Sequence, residues 1–234
     1  VGAEKFSPNN KIISLTKGGC MPLARFTRLE QSVSYNNDCL SFNDDVAEIL
    51  QTDFPNDKVA VVSAAWLLYL YGDSLYQNEP KSKLANLGNI VLGNENFEPI
   101  PKDQKLFEMR RYLIDLVQTL SDKFGTVIML GPIPPQPYAV RSEAVLQFYG
   151  HNGTSSKLFH SYADPLLEVL KDIKSRKLSN VEVIFPHMQL CDAIAKERCV
   201  SFVNGEHYYG DETHVSAVGQ YVAYKELFNY LNKL

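Results

Sequence analysis

An aspartate and a histidine three residues apart, Asp211 and His214, stand in the run Tyr209-Gly210-Asp211-Glu212-Thr213-His214-Val215-Ser216-Ala217-Val218-Gly219, just ahead of an amphipathic C-terminal segment. Side chains at that spacing across one turn reach each other. A carboxylate that accepts from Nδ1 fixes the imidazole tautomer and leaves Nε2 free to take a proton from a serine hydroxyl. That is the acid–base half of a nucleophilic mechanism. A helix-capping aspartate beside an exposed histidine is spelled the same way, so the spacing alone leaves both readings open.

The rest of the chain shows what could position such a pair. Residues 11–15, 59–65, 126–130 and 181–185 are short β-rich runs bounded by turn residues, as expected of strands buried on both faces. Residues 40–52, 103–124, 158–174 and 216–234 carry apolar side chains at helical spacing, for example Leu113, Leu116, Val117 and Leu120. Alternating strands and helices predict an α/β fold: a three-layer α/β/α, doubly wound and mostly parallel sheet, with its ligand site at the carboxyl ends of the strands. Four strands are few for that architecture, so a further first strand is expected upstream of the chain. The Pro/Gly/Asn-rich segments 76–101 and 131–153 read as long loops, and Gly93-Asn94-Glu95-Asn96 reads as a turn.

Composition narrows the function. A chain of 234 residues, 45% hydrophobic and 21% charged, is expected to fold as one globular domain spanning residues 1–234. A net charge of -4 with scattered Lys and Arg offers no basic stripe, which argues against nucleic acid as a partner. The longest apolar stretch, 59–71, is broken by Ser63 and is shorter than the roughly 20 residues of a membrane span. The opening Val1-Gly2-Ala3-Glu4-Lys5-Phe6 has neither an initiator Met nor a signal-peptide core and reads as an N-terminally truncated or processed start. The cysteines fall in two close pairs, Cys20 with Cys39 and Cys191 with Cys199, without zinc-site spacing. Two local disulfides in an oxidising compartment, or four buried thiols in a reducing one, both fit. His151, His160, His187 and His207 have no partner at metal-ligand spacing, so surface or capping roles are expected and no metal is implied.

Gly210-Asp211-Glu212-Thr213-His214-Val215-Ser216, completed by Gly219, resembles the Asp-x-x-His-Leu-Ser-x-x-Gly block that closes SGNH domains fused to membrane acyltransferase family 3 proteins. Ile13 to Leu23, with Gly18-Gly19-Cys20-Met21-Pro22, is similar to that family's strand running into Gly-Cys-Pro-Pro, with Met21 in place of the first Pro. Val59 to Trp66 followed by Tyr69 resembles its strand ending in Arg-Trp, with Ala65 where Arg is usual. Thr126 to Pro134 resembles a strand leading into a Pro-containing loop, and Cys191 with Cys199 matches the paired cysteines ahead of the final block.

The resemblance implies roles residue by residue. Asp211 would be the orienting acid, His214 the general base and the Gly19 backbone N–H an oxyanion donor, a place where a missing Cβ lets the backbone come close to developing charge. Trp66 would line the acyl or sugar pocket as a stacking surface, although a lone Trp at a strand end fits the core equally well. The family's Gly-Asp-Ser block would fall before Val1, placing the nucleophile upstream. The implied activity is serine-based O-acyl transfer, chiefly of acetyl groups, to or from carbohydrate hydroxyls, with no organic cofactor, outside the cytoplasm and beside a membrane-embedded acyltransferase domain. A rival nucleophile is Ser74, because Gly72-Asp73-Ser74-Leu75 spells the signature of GDSL esterases, although Tyr76-Gln77-Asn78-Glu79-Pro80 does not start a helix as a nucleophile elbow requires. A third reading is a non-catalytic glycan-binding or docking module. Asn152-Gly153-Thr154 is a glycosylation sequon that matters only after eukaryotic export.

Overall fold

The computed structural model describes residues 13, 15–17, 20–23, 25–29, 36–51, 58–76, 91–136, 153–191 and 197–233. In chain order the elements are β1 (Thr27–Leu29), α1 (Asn36–Gln51), β2 (Val59–Val62), α2 (Trp66–Tyr71), β3 (Val91–Gly93), α3 (Lys105–Ser121), β4 (Thr126–Leu130), β5 (Thr154–Ser155), α4 (Ser156–Ser175), β6 (Val181–Ile184), α5 (His187–Leu190), β7 (Arg198–Cys199), β8 (Phe202–Val203), β9 (Glu206–His207), α6 (Ala217–Ala223) and α7 (Lys225–Leu231).

β4 is the centre because every one of its five residues is buried. A strand with no polar face must be covered on both sides. It pairs in parallel with β2 on one edge and β6 on the other, aligning Ala60 with Val127 and Val127 with Val181. The two-residue period then sends alternate side chains to opposite layers. Val127 and Met129 pack with Met109, Leu113 and Val117 of α3 and Phe159, Leu166 and Leu170 of α4. Ile128 and Leu130 pack with Ile184 and with Leu227 of α7 on the other face. Each fully buried aliphatic side chain in these layers contributes about 1.5–3 kcal/mol. The observed architecture is the expected parallel α/β/α arrangement. Among the described residues, no helix is long and apolar enough to cross a membrane.

Two clamps order the segment after Gly19. Cys20 is joined to Cys39 of α1 by a disulfide, and the buried Asn43 amide donates to the carbonyls of Met21 and Leu23 at 3.1 and 2.8 Å. β1 pairs antiparallel with β3. A second disulfide, Cys191–Cys199, ties the end of α5 to β7.

Several expectations are refined. The first expected strand, 11–15, lies largely outside the described residues, and Ile13 within it is exposed. The second ends at Val62, and 63–65 is an irregular connection into α2. The expected C-terminal helix over 216–234 is two helices, broken at Tyr224, whose φ of -104° and ψ of 18° are not helical. The segment 76–101 holds β3 in addition to loop, and its Asn94 Oδ1 caps the turn by accepting from the N–H groups of Asn96 and Glu98 at 2.9 and 3.0 Å.

His187 overturns the expectation of a surface or capping histidine, since it is buried beneath the carboxyl end of β6. The rings of Phe159, His160 and Phe185 surround it at 5.2, 5.7 and 5.9 Å, and its Nδ1 meets no hydrogen-bond partner among the described residues. Burial, helped by neighbouring His160 and Lys171 against the opposing pull of Asp164, lowers its pKa from 6.5 to about 4. An unfolded chain therefore binds this proton over a window where the folded one does not, so stability falls as the pH drops from about 6.5 towards 4. In urea titrations the wild-type unfolding free energy should decline across that window by on the order of 2–3 kcal/mol more than that of His187→Phe. Parallel declines would refute the assignment.

Candidate active site

The last block of the sequence folds into a tight turn seated on the end of β4. Tyr209 and Val215 bridge antiparallel, and Gly210 N–H donates to His214 O at 2.8 Å, closing the turn around Asp211. Ser216 then starts α6: its Oγ accepts from Gly219 N–H at 3.1 Å and donates to His207 O at 2.6 Å. A Cβ on Gly219 would collide with the Tyr208 carbonyl, so glycine is what lets α6 lie against the preceding strand. Two residues of the motif, Ser216 and Gly219, thus build the turn.

Within it, His214 Nδ1 lies 2.8 Å from Asp211 Oδ2 and 2.9 Å from Oδ1. The backbone N–H groups of Thr213 and His214 both donate to Oδ1 at 2.8 Å, and Thr213 Oγ1 lies 3.2 Å from it. Partial burial pushes the Asp211 carboxyl upward, but the N–H groups of Thr213 and His214 and the His214 ring outweigh it, and its pKa is lowered. Asp211 is accordingly an anion at neutral pH. A carboxylate anion at Nδ1 favours the imidazole tautomer with its proton on that nitrogen, which leaves Nε2 as the acceptor a general base needs. The imidazole is 80% exposed.

The turn is moored at two points to the Pro-rich segment leaving β4. Tyr209 Oη–H donates to Pro134 O and Gln136 N–H to Glu212 O, both at 2.7 Å. Asp211 lies between the two moorings, at the carboxyl end of the central strand, where ligand sites of parallel α/β sheets form.

The chain matches a family model described as an SGNH domain fused to AT3 domains, over residues 3–225. It belongs to that SGNH family. The crystal-chain likeness agrees: the periplasmic domain of a lipopolysaccharide acetyltransferase from Salmonella ser. Paratyphi A superposes with a TM-score of 0.56 at 15% identity, covering 99% of this chain and 77% of that one. At that identity the likeness speaks for the fold. No curated protein matches the chain.

Not every expected residue of the SGNH site is at the turn. Gly19 lies outside the described residues. Trp66 is 1% exposed and its Nε1–H donates to Leu130 O at 2.9 Å. It braces the end of β4 from inside the core and offers no face for a sugar to stack on, which corrects its expected place in the pocket. Ser74 follows α2 in a 3₁₀ turn, so a helix separates it from β2 where an elbow requires strand then nucleophile, and its hydroxyl donates to Tyr71 O. The four cysteines form the two disulfides of the pairs noted from spacing. Among the described residues, no three His, Cys, Asp or Glu side chains gather as a metal cluster. Thr213, Tyr209 and Gln136 escaped the sequence reading because each acts through turn geometry. Only the proline cluster around Gln136 marked the place.

Substituting Gly219 by Ala would stabilise an isolated helix by about 1 kcal/mol. Here the sign should reverse, with Gly219→Ala losing on the order of 2 kcal/mol in urea unfolding because the new methyl meets backbone. An unchanged or higher midpoint would show that α6 does not need this close approach.

Proposed function

We propose that this chain carries the acid–base half of a Ser-His-Asp site that transfers O-acyl groups, chiefly acetyl, onto carbohydrate hydroxyls. The observation that carries the reading is an exposed imidazole whose Nδ1 lies 2.8 Å from a backbone-pinned carboxylate, on a turn moored to the loop that leaves the carboxyl end of β4. Fusion of the family's domains to AT3 domains supports a membrane-embedded acyl donor partner. The similar Salmonella domain is part of a lipopolysaccharide acetyltransferase, which supports acetyl as the group and carbohydrate as the acceptor. That domain is periplasmic and this chain has two disulfides, which together support an extracytoplasmic location.

In the proposed cycle a serine Oγ attacks the acyl carbonyl while His214 Nε2 takes its proton. The tetrahedral oxyanion is held by backbone donors including Gly19 N–H, and its collapse expels the donor's oxygen, which receives the proton from His214. A sugar hydroxyl, deprotonated by the same nitrogen, then attacks the acyl-serine and regenerates the serine. With water as acceptor the same steps give ester hydrolysis. The serine is supplied from upstream of Val1. The mechanism calls for no organic cofactor, and residues 1–234 act as one SGNH domain.

In the full-length protein, His214→Ala and Asp211→Asn should each lower acetyl transfer about 10³–10⁴-fold while leaving the melting temperature near wild type. Ser74→Ala should leave turnover unchanged. Full activity in His214→Ala would overturn the reading, and loss of activity in Ser74→Ala would move the nucleophile to the 3₁₀ turn.

A further inference from the structure

Gln136 is a fully buried polar side chain in a loop made mostly of proline, Gly131-Pro132-Ile133-Pro134-Pro135-Gln136-Pro137. Burying an amide is costly unless its donors and acceptors are met. Here they are met by three separate segments. Its Nε2 donates to Pro134 O of its own loop at 3.2 Å, and its Oε1 accepts from Thr154 N–H at 3.0 Å. Thr154 adds a hydroxyl bond to Pro135 O at 2.6 Å and pairs in β5 with Cys199 of the second disulfide. The third segment is the catalytic turn, reached through the backbone N–H of Gln136.

That last bond has a directional consequence. The Glu212 carbonyl that accepts from Gln136 N–H and the Thr213 N–H that donates to Asp211 Oδ1 belong to one peptide unit. A trans peptide is planar, with its C=O and N–H pointing opposite ways. Fixing the carbonyl at 2.7 Å on Gln136 therefore fixes the direction in which the N–H grips the carboxylate. The first two bonds run in series through that peptide, Gln136 N–H to Glu212 O and Thr213 N–H to Asp211 Oδ1, and so polarise each other, while His214 Nδ1 meets the same carboxylate. Since Pro134, Pro135 and Pro137 have no N–H, Gln136 is the residue within 134–137 able to make the first link.

We propose that Gln136 is a positioning residue: its buried amide locks the proline loop to Thr154, so that its backbone N–H orients the Glu212–Thr213 peptide and, through it, Asp211 and the ring of His214. The inference rests on the reading of Asp211 and His214 as the catalytic pair. It adds a residue that touches neither substrate nor imidazole and acts through a peptide plane.

Ring ¹⁵N NMR of the neutral imidazoles tests it without an activity assay, since the chain has five histidines and His214→Gln assigns the signal. Wild-type His214 should show the Nδ1–H tautomer, whereas free imidazole side chains favour Nε2–H. Gln136→Met keeps the volume but not the hydrogen bonds, and should lose that preference. Asn180→Ala is the control, because Asn180 pins Ser121 and Phe124 carbonyls at 2.8 Å at the amino end of the sheet; it should lower the melting point comparably and leave the tautomer intact. Should Gln136→Met fail to fold, Thr154→Val removes one side of the same lock and should shift the tautomer in the same direction. A tautomer unchanged in the Gln136 or Thr154 variant, or shifted equally in Asn180→Ala, overturns the proposal and leaves the dyad standing. An Nε2–H tautomer in the wild type defeats the dyad and the proposal together.

Discussion

The geometry of the site depends on one carboxylate held from its own backbone. Asp211 receives N–H groups from Thr213 and His214 at 2.8 Å each before it meets the imidazole. An exposed ion pair between side chains alone is worth little, because two mobile groups must be ordered to make it. The chain contains such a pair for comparison: His160 and Asp164 approach to 2.7 Å across one turn of α4, joined side chain to side chain on an exposed helix face. Both pairs are short and both are wet. What separates them is that the turn at 209–215 removes the freedom of the acid, so the ring beside it has one orientation and one tautomer to adopt.

The rest of the fold serves that turn. A parallel strand buried on both faces ends at Leu130, where Trp66 closes the core beneath it, and the chain leaves as a run of prolines. Prolines carry carbonyls without matching N–H groups, so the loop has acceptors to spare, and Tyr209, Thr154 and the Gln136 amide donate to them. On the far side, α6 is pulled onto Tyr208 by the Ser216 cap and the bare Cα of Gly219. The loop and the helix thus hold the turn from two sides, and the dyad stands on that turn.

Much of this was legible in the chain. The parallel α/β class followed from apolar runs such as 126–130, which have no polar face, and the Asp211/His214 contact followed from their three-residue spacing. Other features depended on tertiary partners that no local pattern encodes. Trp66, at the end of a strand run, fitted pocket and core equally, and what decides is the acceptor its indole finds, the Leu130 carbonyl 64 residues away in sequence. His187 looked like a surface histidine because two of the rings that enclose it, Phe159 and His160, lie far along the chain. The split at Tyr224 was hidden because apolar periodicity continues through it. Gln136 was invisible for the same physical reason that makes it interesting: its partners lie at Thr154 and Glu212, far along the chain.

The central claim is that His214 serves a serine nucleophile. Covalent trapping addresses it most directly: the full-length protein is treated with a fluorophosphonate, and the modified residue and the labelling rate are read by mass spectrometry in wild type and His214→Ala. The account predicts one phosphonylated serine upstream of Val1, formed on the order of 10³-fold more slowly when His214 is absent. A label on Ser74, or an upstream label that forms at the same rate without the imidazole, would contradict it.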